Sequence, residues 1–214
     1  MNLRSTDRTC VSGLPGTGKT TLVRYLATLA EPNLLIYDPL GQYLNEFPKE
    51  CVYVPQGNSQ QEFDNVCKRL CARSNVVFIV EECERYIGQG RELGPYAFDL
   101  VNRGRNWGIG IIAVTRRIQR ISKDFFDLCQ NVVFFKCGLK SREYISDLIG
   151  KEHLGIIMSL ERFHFMYYNL ETEESTIAHL QLGGTSRIKE QGKPAQPTSD
   201  LIKKPKSQII TSGG

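Results

Sequence analysis

Gly13-Leu14-Pro15-Gly16-Thr17-Gly18-Lys19-Thr20 is the stretch on which the fold turns. It matches G-x-x-x-x-G-K-[ST], and its setting is the required one: a β-rich run, Arg8 to Ser12, before it and a helical run, Lys19 to Leu29, after it. The glycines let the backbone curl so that successive N–H groups point inward, which makes a concave anion site at a helix N-terminus. Lys19 would set its ammonium on the β and γ phosphates of a nucleotide, and the Thr20 hydroxyl would ligate the magnesium ion bridging them. The reading therefore assigns ATP to Gly13, Leu14, Pro15, Gly16, Thr17, Gly18, Lys19 and Thr20. Thr21, the next residue on the helix, is assigned to the same nucleotide.

Outward from this loop, short β-rich runs alternate with helical ones, the mark of βαβ units around a mostly parallel sheet. Leu22, Leu26 and Leu29 recur at helical spacing, Pro32 and Asn33 stop that helix, and Leu34 to Tyr37 form a second strand. Further strands are expected at Cys51 to Val54, Val76 to Val80, Ile109 to Val114 and Asn131 to Lys136. Helices are expected at Gln60 to Cys71, Pro95 to Arg103 and Ser141 to Ile149. Arg162 to Asn169 and Thr176 to Leu182 read as a C-terminal β-hairpin across a polar turn. The fold class is thus an α/β P-loop NTPase with helices on both faces of its sheet, one domain over residues 1–182.

From Gly183 to Gly214 the chain is poor in large apolar residues, and its six Lys or Arg against two acids account for the whole net charge of +4. That stretch reads as a flexible basic tail. With the rest neutral, overall basicity says little about nucleic acid. A hydrophobic fraction of 41% and a charged fraction of 23% exclude a membrane-embedded or wholly disordered chain. No apolar run approaches the length of a spanning helix, and Met1 to Arg8 lacks the apolar stretch of a secretory signal, so a cytoplasmic, non-transmembrane protein is expected. Seven cysteines scattered through apolar segments fit that address better than a disulfide framework.

The chemistry needs a second element, and Val77-Phe78-Ile79-Val80 supplies it by delivering Glu81 and Glu82 to the carboxyl end of a buried strand. Glu81 would hold the magnesium through its water shell, while Glu82 would orient and polarise the attacking water. Glu84 is a weaker rival for that base. A glutamate directly after the metal-side acid points to hydrolysis of the γ-phosphate rather than its transfer to a small molecule, as in a kinase.

These residues carry a resemblance to the FtsK/HerA superfamily of DNA-translocating ATPases. Leu34-Leu35-Ile36-Tyr37-Asp38-Pro39-Leu40-Gly41-Gln42-Tyr43 resembles the group's second-strand motif, and Gly104 to Arg117 resembles the segment in which a Gly-Arg step leads into the sensor strand. Thr115 stands in its place there. Arg116 replaces the usual glutamine, Ile118 the usual proline, and Glu81 the usual aspartate. The compact chain is most similar within the superfamily to the genome-packaging ATPases of tailless, membrane-containing icosahedral viruses.

The resemblance implies a homo-oligomeric ring with ATP at its subunit interfaces, and an arginine reaching the neighbour's γ-phosphate. Arg105 is the candidate finger and Arg103 the next. It implies sequence-independent contact with the phosphates of double-stranded DNA, with candidate contacts at Gly88 to Arg91 and Lys123. It also implies capsid or membrane-vertex proteins as partners and a place in the host cytoplasm or the virion. A Zot-like phage-export ATPase and a small-molecule kinase are the alternatives.

Overall fold

The computed structural model describes residues 3–57, 59–181 and 187–191. Strand β1 (Arg8–Ser12) runs into the glycine loop and helix α1 (Lys19–Ala30), followed by β2 (Leu34–Tyr37) and β3 (Val52–Tyr53). Next come α2 (Gln60–Cys71), β4 (Val77–Val80), α3 (Pro95–Arg103) and β5 (Gly110–Thr115). The chain continues through α4 (Lys123–Asp127), β6 (Asn131–Phe134) and α5 (Arg142–Ser159) to β7 (His164–Asn169), β8 (Ser175–Gln181) and β9 (Arg187–Gln191).

The nine strands among the described residues share one sheet, in the order β3-β2-β4-β5-β1-β6-β7-β8-β9. The first six are parallel, and β7, β8 and β9 extend the sheet antiparallel. Registry puts Ser12 beside Thr115 and Tyr37 beside Val80. The ends of β1, β4 and β5 therefore open onto one edge of the sheet, where connections leave room for a ligand. Helices cover both faces: α1 buries Leu22, Val23, Leu26 and Ala27 on one, and α2 buries Phe63, Val66, Cys67 and Leu70 on the other. With Phe78, Ile79 and Val80 each no more than 1% exposed, and each worth ~1.5–3 kcal/mol on burial, β4 is a stiff mount for whatever follows it.

Most elements fall where the sequence places them, and the differences have physical causes. Helix α5 continues past Ile149 because a left-handed, extended Gly150 (φ 85°, ψ 159°) joins two helical segments, the second burying Ile157. The expected helix ended at Ile149, and packing beyond the glycine restarts it. The expected hairpin gains a third strand, since β9 pairs with β8 from Gln181–Arg187 to Ile177–Gln191. Edge pairing is made by backbone groups and needs no apolar pattern, so the sheet passes the boundary expected at residue 182. The remainder of the expected tail, residues 183–186 and 192–214, lies outside the described residues. Among the described residues, no helix is long and apolar enough to cross a membrane.

Candidate active site

At the carboxyl edge of the sheet lies a cleft of about 330 Å³. Its floor is the glycine loop. Gly16 and Gly18 adopt φ of 76° and 119°, a region that side chains other than glycine's enter at a cost, and a Cβ at Gly18 would also stand 2.9 Å from the Phe163 ring. Helix α1 then starts with no side chain capping it and no acid in its first turn, so its leading N–H groups face the cleft without a competing acceptor.

Pro15, Gly16, Gly18, Lys19, Thr20 and Thr21 line the cleft. Gly13, Leu14 and Thr17 do not; they shape the loop from behind. The Thr17 hydroxyl donates to the Leu14 carbonyl (2.8 Å), and a Cβ on Gly13 would meet Phe135 at 2.6 Å. The Lys19 ammonium donates to the carbonyls of Gly13 (2.7 Å) and Leu14 (2.8 Å), and burial lowers its pKa.

Across from the loop, β4 delivers Glu81 and Glu82. Glu81 is 6% exposed and its Oε1 accepts from the Tyr43 hydroxyl at 2.5 Å. Burial raises its pKa against the lowering effect of that hydrogen bond. Tyr43 is itself placed by buried Asp38, which accepts from the Tyr43 and Leu40 amides (2.9 and 3.3 Å). The second-strand motif is therefore a bracket that fixes one oxygen of Glu81 from the side. Thr20 and Glu81 line the same cleft, one hydroxyl and one carboxylate, an oxygen set of the kind a magnesium ion takes.

Glu82 leaves the strand in a left-handed conformation (φ 48°, ψ 41°), costing about 1–3 kcal/mol for a residue with a side chain. Its carboxylate pairs with Arg85 (2.8 Å) and Arg116 (3.0 Å). Thr115 ends β5 with its hydroxyl oxygen accepting from the Arg117 amide (3.0 Å), which leaves the hydroxyl proton to donate into the cleft. Arg116, where the sequence lacks the expected glutamine, lines the same wall.

Sequence reasoning gave no role to Arg162 and Phe163, while Leu40, Gln42, Val114 and Arg116, quoted only within motifs, also line the cleft. Arg162 and Phe163 line the cleft from the turn before β7, where only a strand start was expected. Their sole signal was adjacency of a cation and an aromatic, which is common. Arg105 is not brought to this cleft. It sits exposed in the turn Gly104–Trp107 at the opposite end of β5, one turn beyond Arg103 on α3. The segments holding Gly88 to Arg91 and Lys123 lie side by side. Gly88 bridges Ile121, the Gln89 amide donates to the Arg120 carbonyl (2.8 Å), and Arg91, Arg120 and Lys123 are exposed.

A family model described as "ATPase family associated with various cellular activities (AAA)" matches residues 9–137. No curated protein sequence matches the chain. Among solved structures, the genome-packaging NTPase B204 of Sulfolobus turreted icosahedral virus 2, in complex with ATP-gammaS, is 16% identical with a TM-score of 0.70, over 83% of this chain and 98% of that one. B204, the DNA-packaging ATPase from Sulfolobus turreted icosahedral virus, is 15% identical with a TM-score of 0.71, over 85% and 100%. EccC of Thermomonospora curvata is 15% identical with a TM-score of 0.58, over 78% and 37%. At such identities the likeness is one of fold.

Proposed function

The chain belongs to the AAA family of ATPases, and from that membership and the site's geometry we propose that it is a ring-forming motor whose ATP hydrolysis moves double-stranded DNA into a viral capsid. The single observation that carries the hydrolytic half is the placement of Glu82 at the end of β4 across the cleft from the uncapped start of α1. There it can polarise a water in line with a terminal phosphate. Lys19 and the loop amides bind the phosphates, and Thr20 and Glu81 hold magnesium. That ion would neutralise charge on the β and γ oxygens. Thr115 orients the same phosphate from the neighbouring strand.

The motor half is supported by the second-strand and sensor-strand motifs and by likeness in fold to packaging ATPases over nearly their whole length. The adjacent exposed cations Arg91, Arg120 and Lys123 supply a patch suited to backbone phosphates rather than base edges. Phosphate release measured with and without duplex DNA, together with mass in solution in a non-hydrolysable ATP analogue, tests the reading. DNA-stimulated turnover by a ring-sized particle is expected. Turnover indifferent to DNA in a monomer would remove the motor and leave a simple ATPase.

A further inference from the structure

Phosphate chemistry accounts for the loop, the acids and Arg116, but it leaves one wall of the cleft without a role. That wall is Arg162 and Phe163. Phe163 is the one aromatic lining the cleft among the described residues, and it is held at φ 66°, a left-handed conformation that a bulky side chain occupies only when its surroundings impose it.

The imposing contacts are all to the phosphate loop and the sheet beside it. The Phe163 amide donates to the Thr17 carbonyl (2.8 Å), and the Phe163 carbonyl accepts from the Leu180 amide on β8 (2.9 Å). Its ring packs so tightly on Gly18 that a Cβ there would touch it. Arg162 donates from Nε to the Gly16 carbonyl (3.2 Å), and its guanidinium lies 4.7 Å from the centre of the Phe163 ring. The guanidinium thus lies over the phenyl ring, and both are fixed to the flank of the loop. A phenyl plane offers a phosphate nothing, and the Arg162 Nε is already committed to the Gly16 carbonyl. Together, the two side chains match the flat face of a purine and the edge of a ribose.

We propose that Arg162 and Phe163 form the base subsite of the nucleotide, the adenine stacking on their layer while its phosphates run along Gly16, Gly18 and Lys19 toward Glu82. The proposal rests on the assignment of the phosphates to this loop. Recognition is by the face of the base rather than its edge, so the antiparallel extension of the sheet takes part in binding through the turn that precedes β7.

Calorimetric titration of the full chain with a non-hydrolysable ATP analogue and, separately, with inorganic tripolyphosphate tests this. The wild type should bind the analogue more tightly than tripolyphosphate. F163A should lose about tenfold in affinity for the analogue, the scale of one lost base stack, while its tripolyphosphate affinity stays at the wild-type value. R162A should show a smaller loss of the same selective kind. F163G, which removes the ring and relieves the backbone at once, should behave as F163A does. Equal losses for both ligands would make Phe163 a prop for the loop and overturn the subsite, as would unchanged analogue binding. A wild type that binds tripolyphosphate as tightly as the analogue also overturns it. A wild type that binds neither ligand overturns the phosphate assignment itself.

Discussion

The two ends of β5 carry arginines with opposite prospects. At its carboxyl end, Arg116 lines the cleft and pairs with Glu82 at 3.0 Å. At its amino end, Arg105 stands exposed in the turn Gly104–Trp107, away from every residue of the cleft. A strand rises about 3.3 Å per residue, so Gly110–Thr115 alone separates the two by roughly 17 Å, beyond the reach of one arginine side chain. Arg116 can act on its own subunit's nucleotide. Arg105 cannot reach it. A single straight strand therefore sets two chemically identical side chains at opposite edges of the sheet, one in the cleft and one away from it.

The sharpest way to break this comparison is to remove the distant arginine. Arg105→Ala should lower turnover ~10³- to 10⁵-fold, the range for a finger supplied in trans, with ATP binding unchanged. Mixing it with Glu82→Gln subunits should restore part of the activity, since each variant brings what the other lacks. Normal hydrolysis by Arg105→Ala alone would end the finger assignment and return Arg103 to consideration. Glu82→Gln should follow with a loss of ~10²- to 10⁴-fold in phosphate release, and the bound nucleotide should be recovered intact. Parental turnover from that variant would mean that another group polarises the water.

Arg116→Gln should cost far less, about tenfold in kcat with KM little changed, because Glu82 keeps its ion pair with Arg85 (2.8 Å) and loses only one of two orienting charges. Unlike the loss at Arg105, this one should not be repaired by mixing with Glu82→Gln subunits beyond what dilution explains. Faster turnover would instead identify the Arg116–Glu82 pair as a restraint on the base.

How far the sequence foretold this arrangement depends on which interactions set each part. Local signals placed β1, β2, α2 and α3 to the residue, because burial stripes, the Pro at the start of α3 and the loop glycines are written in adjacent positions. The composition of the cleft was also readable, since Lys19 and the Glu81–Glu82 pair, which line it, follow directly from elements that are themselves local. Long-range partners were not readable. Nothing in the neighbourhood of Tyr43 says that its hydroxyl meets Glu81, thirty-eight positions on. Nothing near Phe163 says that its amide meets Thr17. Strand β9 escaped because backbone pairing with β8 leaves no trace in composition.

The Tyr43–Glu81 contact yields the smallest expected effect and tests whether the acid is kept for function at the expense of stability. Glu81 is buried, and desolvation holds its pKa above that of a free glutamate despite the Tyr43 hydrogen bond. A carboxyl whose folded pKa exceeds its unfolded value of about 4.3 favours the folded state when protonated. The penalty for carrying it ionised is therefore fully present above the folded pKa and disappears as the pH falls below the unfolded one. Glu81→Gln removes the charge while its amide oxygen can still accept from Tyr43, so it should raise the melting temperature near neutral pH by about 2–4 °C, what ~1 kcal/mol produces in a domain of this size. The gain should shrink toward zero as the pH approaches 4. The same variant should lose the magnesium dependence of nucleotide binding, because an amide offers the hydrated ion no charge. A melting temperature that fell at pH 7 would show that the ionised carboxylate is a net support of the fold, with Tyr43 and Lys19 more than offsetting its desolvation.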